Sequence, residues 1–368
     1  MLNKIIYINV IILFINIYYY SYEFTFYYKS IDFSFLSLNS KSFFHISNYL
    51  NHKYQKRDDR SVLEKPTNKS ISIYFLGFNP DIFHDILINI TTKILQKKKY
   101  SVNINSDNPD YLIYNIFSCE HLNPKYNNSI KIAYYTENQI TDFNTADYCI
   151  GHSHINYLDR YFKLPIYFIY RFFQFNNMEI EIVRNRTLNA SKRNKFCAAI
   201  ITNGWWNTDG FRMNFINELN KYKQVDMGGR YKNNVGPVKN KTEFLSSYKF
   251  SIAMENTEGD GYASEKIFDA FLSGTIPIYY GDYMVDEYFN PEAFILIRGE
   301  KDMQAKIEYI KEIDNNEELY KKILSKKLFL NKEYIGINTM KEYMNFLEHI
   351  FFQNKKKAKR IDKFFLNY

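Results

Sequence analysis

Two cations occupy positions where helix electrostatics disfavours them. Lys266 and Arg212 each fall in the first turn of an expected helix that follows a hydrophobic strand, and a cation there opposes the macrodipole unless an anion is bound. Backbone N–H groups, the dipole and the Lys266 ammonium together suit a phosphate. Arg212, at an equivalent helix start one unit earlier, would make a paired clamp on a pyrophosphate. Taken singly, each reads as an ordinary surface residue. It is the surrounding stretch, YKFSIAMENTEGDGYASEKIFDAFLSGTIPIYYGD (248–282), that favours the clamp.

Within that stretch Phe250, Ile252 and Met254 alternate as in a strand, and polarity begins at Glu255 and Asn256, where the strand is expected to end. Ligands of open α/β sheets sit outside the carboxyl ends of strands, so this is the expected crevice position. Gly259 and Gly261 permit a close turn. Ser264 is placed to cap a helix whose apolar face is Ile267, Phe268, Phe271 and Leu272, with Gly274 ending it. Glu265 suits the positive helix start.

Other chemistry-bearing residues are less organised. His152 and His154 stand at i, i+2 with no carboxylate or cysteine cluster in sequence, and read as structural or surface residues rather than metal ligands. Trp205-Trp206 could stack on a guanine or a sugar, or plug an interdomain contact, and both readings stand. Cys119, Cys149 and Cys197 are too few and too widely spaced for a zinc ribbon or a dense disulfide framework, although one disulfide is not excluded.

The elements that must position the clamp alternate between strand and helix. ISIYFLGF (71–78), YLIYNIF (111–117), IKIAYYTEN (130–138) and DYCIGH (147–152) read as buried strands, with a helix at 83–99. After a polar stretch at 183–194, taken as the interdomain linker, KFCAAIIT (195–202), a helix at 210–222, VDMGG (225–229), YKFSIAMEN (248–256), a helix at 264–274 and TIPIYYG (275–281) repeat the order. The expectation is an α/β protein of two Rossmann-like layers facing a cleft, with domains at 70–190 and 191–350.

At residues 248–282 the chain resembles the donor-binding segment of the alpha-1,3-fucosyltransferase family: a strand ending in Phe-Glu-Asn, a Gly-Tyr-Val-Thr-Glu-Lys turn, and a helix running into an Ile-Pro-Ile strand. Here these stand as MEN, GYASEK and TIPIYYGD, with similarity continuing upstream through FRMNFINELNKYKQVDMGGRYKNNVG and, more loosely, through IAYYTENQ and YLDRYFKLP. Ala263 and Ser264 replace Val-Thr, keeping a hydroxyl at the cap. Thr136-Glu137-Asn138 lacks the Gly of the family's Thr-Gly-Glu-Asn.

The resemblance implies a GT-B fold, with an acceptor domain followed by a domain that binds GDP-fucose. It assigns the pyrophosphate to Arg212 and Lys266, gives Asn256, Tyr262 and Glu265 to the nucleotide sugar, and makes Glu137 the general base of an inverting transfer to an N-acetylglucosamine-containing glycan in alpha-1,3 (or alpha-1,4) linkage. No Asp-x-Asp follows a strand, so no divalent metal or other cofactor is expected to be essential. The alternatives are a non-catalytic nucleotide-sugar or glycan-binding protein of the same fold, and a glycosyltransferase with another donor.

Composition narrows the rest. A net charge of +8 suits an anionic partner, yet the basic residues form no concentrated stripe with a nucleic-acid reading motif, so no nucleic acid is expected. Residues 1–28 are almost uncharged and read as a signal anchor rather than a cleaved signal, with a buried strand as the rival. Residues 29–69 read as a stem and 351–368 as a basic, aromatic tail. The corresponding location is a single-pass membrane protein with a luminal, Golgi-like catalytic domain in a eukaryotic source, or a membrane-associated cytoplasmic protein in a bacterial one.

Overall fold

The computed structural model describes residues 62–63, 70–78, 82–117, 119–171, 178–202, 209–330, 337–353, 356–357 and 360. The expected anchor at 1–28, all of the 29–69 stem except Val62 and Leu63, and Trp205-Trp206 lie outside them. Among the described residues no helix is long and apolar enough to cross a membrane.

Two parallel sheets carry the fold. The first contains β1 (Ser70–Leu76), β2 (Ser101–Ile104), β3 (Tyr111–Asn115), β4 (Ile130–Tyr134), β5 (Tyr148–Gly151) and β6 (Tyr161–Lys163), in the order β2-β1-β3-β4-β5-β6. All five residues of β3 and of β4 are buried, as central strands of a sheet covered on both faces require. By contrast β2 is a polar, largely exposed edge, and β6 is only three residues long. Neither carries the apolar run that marks the inner strands, and the sequence reading missed both.

The second sheet contains β7 (Lys195–Ile200), β8 (Val225–Gly228), β9 (Tyr248–Gly259), β10 (Ile276–Asp282) and β11 (Ile295–Leu296), in the order β11-β10-β9-β7-β8. Chain order reverses between β7 and β9, which pair in parallel. That is the switch point where connections leave in opposite directions and open a crevice.

Helices α1 (Ile82–Lys97), α2 (Ile166–Arg171), α3 (Met178–Leu188), α4 (Asp209–Asn220), α5 (Lys241–Leu245), α6 (Glu265–Leu272), α7 (Glu300–Asn315), α8 (Glu317–Leu324) and α9 (Ile337–Phe351) cover the sheets. The layers share one apolar cluster. Tyr167 of α2 meets Phe268 of α6 at 5.2 Å and Phe289 at 5.3 Å between ring centroids, each such pair contributing about 0.5–1.5 kcal/mol beyond its buried area. Tyr167 N also donates to Ala263 O at 3.1 Å, fixing α2 to the segment that begins α6.

The polar stretch 183–194 is not an extended linker. It is the end of α3 and a short 3-10 turn, Ala190–Lys192. Arg186 is fully buried, donating to Thr275 O (3.4 Å) and Ala293 O (3.1 Å) with its guanidinium over the Phe271 ring. Arg193 donates to Arg186 O at 2.8 Å. Arginine can be taken inside by carbonyls and an aromatic face, so composition alone made a packed junction look like a tether.

The C-terminal residues return to the first layer. Helix α9 places Tyr343, Leu347, Ile350 and Phe351 in the same cluster as Ile71, Tyr111 and Tyr134. Beyond it, Lys356 and Lys357 pair with Leu63 and Val62. Arg360 then enters the interior, donating to both oxygens of fully buried Asp147 and to Ser129 O at 2.8 Å. Removing one member of a buried ion pair strands the other, at about 3–5 kcal/mol. Asp147→Ala is therefore expected to lower the free energy of unfolding by about that amount, measured by urea denaturation against the unaltered protein.

Candidate active site

The segment 248–282 is built around a buried carboxylate, Glu255, to which its sequence pattern assigns no role. Glu255 is fully buried on β9. Its Oε1 accepts the Ser264 N–H at 2.7 Å, and its Oε2 accepts the Ser264 hydroxyl at 2.9 Å and the Lys266 ammonium at 2.6 Å. A buried carboxylate costs several kcal/mol unless it is paired and hydrogen-bonded, and here the three donors come from the cap and first turn of α6. Burial pulls the Lys266 pKa down, but the Glu255 and Glu265 carboxylates outweigh it and the net shift is upward, so the ammonium form holds.

The strand does not end at Asn256 as expected but runs to Gly259, with its pairing to β10 broken between Met254 and Gly259. Such an irregularity frees side chains from the ladder and re-aims them. Asn256 is one of these, and its Oδ1 accepts from Arg212 Nη1 at 3.2 Å. Arg212, from α4, and Lys266, from α6, line one narrow crevice at the β7–β9 switch point together with Ile200, Met254 and Lys241. The two expected clamp residues are thus brought together across the switch point.

Lys241 is a third cation in that crevice, and the sequence analysis did not single it out. It opens α5 and pairs with buried Asp269 at 2.5 Å. Its only available signal was an Asn before a short helix, which is weak in so Asn- and Lys-rich a chain. Glu265 lies at the N-terminal end of α6, partly exposed.

The base expected from the first layer reaches this segment directly. Glu137 lies just beyond β4, half-buried, and its Oε2 accepts the Tyr262 hydroxyl at 2.8 Å. Three more contacts join the same strips of chain. Asn138 Nδ2 donates to Thr257 Oγ1 (2.7 Å) and Glu258 O (2.9 Å), and the His154 N–H donates to Asp260 Oδ2 (2.9 Å). His152, also buried, has Nε2 3.0 Å from Glu137 O and Nδ1 3.0 Å from Asp260 O. Both its nitrogens thus face main-chain carbonyls, and no group of three or more metal-ligating side chains exists among the described residues.

Glycine makes this docking possible. A Cβ on Gly259 would lie 2.3 Å from Asn138 Oδ1, and one on Gly261, where φ is +70°, would lie 2.0 Å from His152 O. The close approach is thus made by the glycines of the donor loop and does not need one before Glu137. Asp282 anchors the loop from below, accepting the Gly261 N–H at 2.8 Å and the Met284 N–H at 3.0 Å, with burial raising its carboxyl pKa to about 6. Burial and the Lys163 charge press His154 down to about 3, so its ring is neutral beside Asp260. All three cysteines are free thiols.

Two parallel α/β layers, with a cationic crevice at the switch point of the second and a carboxylate supplied by the first, make a GT-B-like fold. The match to a crystal structure of an α1,3-fucosyltransferase with GDP-fucose has a TM-score of 0.60 at 25% identity, covering 82% of this chain and 97% of that one. A second, an α1,3-fucosyltransferase with GDP, matches the fold with a TM-score of 0.62 at 23% identity over 85% of this chain and 99% of that one.

The chain belongs to the alpha-(1,3)-fucosyltransferase family. The C-terminal model of glycosyltransferase family 10 (fucosyltransferase) matches residues 190–356, and the N-terminal domain model of alpha-(1,3)-fucosyltransferase FucT matches 73–170. The alpha-(1,3)-fucosyltransferase FucT of Helicobacter pylori is 33% identical over 53% of this chain and 46% of its own length. Human 4-galactosyl-N-acetylglucosaminide 3-alpha-L-fucosyltransferase 9 is 28% identical over 35% of this chain and 36% of its own. The chain thus spans less than half the length of these curated relatives.

The docked glycines give a stability test. Gly261→Ala is expected to cost at least about 1–3 kcal/mol, from backbone strain alone. Gly210→Ala, where a Cβ meets nothing within 4 Å, is expected to be neutral or stabilising by up to about 1 kcal/mol. Paired denaturation curves read both.

Proposed function

We propose that this protein transfers L-fucose from GDP-fucose to a hydroxyl of an N-acetylglucosamine-containing glycan, forming an alpha-1,3 linkage with inversion at the anomeric carbon. The observation that carries the reading is the Glu137–Tyr262 contact, which sets a carboxylate of one layer against the loop leading into the cationic crevice of the other. Family membership and the activities named for its relatives support the donor and the linkage.

In this reading the acceptor hydroxyl attacks the fucose anomeric carbon from the face opposite GDP while Glu137 takes its proton, a transfer worth typically 10²–10⁴-fold in rate. One displacement inverts the centre. Tyr262 donates to the Glu137 oxygen it already touches and so orients the carboxylate. Arg212 and Lys266 stabilise the charge that grows on the β-phosphate as the bond to fucose breaks, a fixed electrostatic role. Asn256 steadies the Arg212 guanidinium, and Glu265 faces the nucleotide sugar from the start of α6. With these cations neutralising the leaving group, we propose that no divalent metal is required.

The protein, incubated with labelled GDP-fucose and a panel of N-acetylglucosamine-containing acceptors, is expected to transfer label equally with and without EDTA. Arg212→Ala and Lys266→Ala are each expected to weaken GDP binding about tenfold or more, since a hydrogen bond to a charged group contributes about 1.5–3 kcal/mol. Calorimetric titration with GDP measures this. GDP-fucose bound without transfer to any acceptor would identify a non-catalytic binding protein; transfer abolished by EDTA would overturn the metal-free reading.

A further inference from the structure

His152 is placed unlike any other side chain of the site. It is 1% exposed, and each ring nitrogen stands 3.0 Å from a main-chain carbonyl oxygen, Nε2 from Glu137 O and Nδ1 from Asp260 O. A carbonyl only accepts. A neutral imidazole has one donor and one acceptor nitrogen, so it satisfies one of these carbonyls and turns a lone pair toward the other; an imidazolium donates to both. The two carbonyls lie on opposite sides of the cleft, one on the expected base and the other in the loop that ends at Tyr262. Gly261 of that loop packs against His152 O, where an added Cβ would lie 2.0 Å from the oxygen.

We propose that His152 is a positioning residue of this site: with both nitrogens protonated it donates across the cleft and holds Glu137 against the Tyr262 loop, and proton loss releases one of the two bonds. The proposal rests on the fucosyl-transfer reading for its consequence, but its geometry stands apart from it.

The groups facing the ring set the pH at which this happens. Burial lowers the His152 pKa from the ordinary histidine value, while the two carbonyls and the Asp260 and Glu137 carboxylates oppose that shift without cancelling it. His154 lies beside it and is neutral, and the Lys163 charge lies beyond His154. The Tyr262 ring, 5.4 Å from the imidazole between centroids, is held un-ionised by burial and the nearby carboxylates. Below the His152 pKa both bonds are present; as pH rises through it one is lost. Transfer should therefore decline on the alkaline side as His152 loses its proton.

The test is an NMR titration of the ¹⁵N-labelled full chain, set beside the pH profile of kcat. His152→Gln assigns the His152 resonances among the 7 histidines. His152 is expected to pass from two protonated nitrogens to one with a midpoint that matches the alkaline decline of kcat. The Asp260 and Gly261 amide resonances are expected to follow the same midpoint. In His152→Gln, kcat should fall roughly tenfold or more through misplacement of the base, lose that alkaline limb, and leave GDP affinity within about twofold. A His152 titration that moves neither the two amides nor kcat would overturn the proposal, as would a variant with unchanged kcat. If no acceptor is fucosylated at all, the reading of the activity fails, and the amide titration alone then decides whether His152 holds the loop.

Discussion

Everything at this site depends on two strips of backbone coming closer than side chains normally permit. Residues 257–262 of the second layer lie against Glu137, Asn138, His152 and His154 of the first, and Gly259 and Gly261 are the positions where a Cβ would collide. Side chains of Glu137, Asn138 and His152 from the first layer and of Thr257, Asp260 and Tyr262 from the second make the contacts across it. Apolar packing holds the layers behind it, through Tyr167, Phe268 and Phe289, so the polar contacts fix register while the aromatic rings supply adhesion. The division suits the proposed site, whose base and cationic clamp would come from different layers.

On the donor side the organising group is a buried anion. Glu255 draws the cap and first turn of α6 inward, and in doing so sets where Lys266 stands. A lysine on an exposed helix start would move freely and lose much conformational entropy on binding a phosphate. Held by a carboxylate and the Ser264 hydroxyl, it is preorganised, and preorganised charge is what stabilises a leaving group at little reorganisation cost. Arg212 reaches the same crevice from α4 because the chain reverses direction at the β7–β9 switch point.

Much of this could be read in the sequence where a local pattern had a single physical meaning. Buried central strands announce themselves as apolar runs, and Ser264, Glu265 and Lys266 form a cap whose cation asks for a counter-charge. The counter-charge present in the fold is Glu255, eleven residues earlier in sequence, where it looked merely like the start of polarity. The polar edge strand Ser101–Ile104 carried no strand signal. Arg186 and Arg193 carry no local sign of burial, because nothing nearby in sequence shows which carbonyls and rings will receive them. The return of α9 and Arg360 to the first layer depends on contacts more than 200 residues apart, as between Arg360 and Asp147, and no window of sequence contains both partners. By sequence His152 fits either a metal ligand or a structural residue; that both its nitrogens face carbonyls is a property of the assembled cleft.

In the proposed reaction, proton removal falls to one layer and nucleotide binding to the other. Its most direct test is to measure, on one preparation of Glu137→Ala, both the single-turnover rate of fucosyl transfer and the affinity for GDP. The expected result is a transfer rate lowered by about a hundredfold or more, with GDP affinity within about twofold of the unaltered protein. Transfer that persists at the original rate, or a rate and an affinity that fall together, would contradict it.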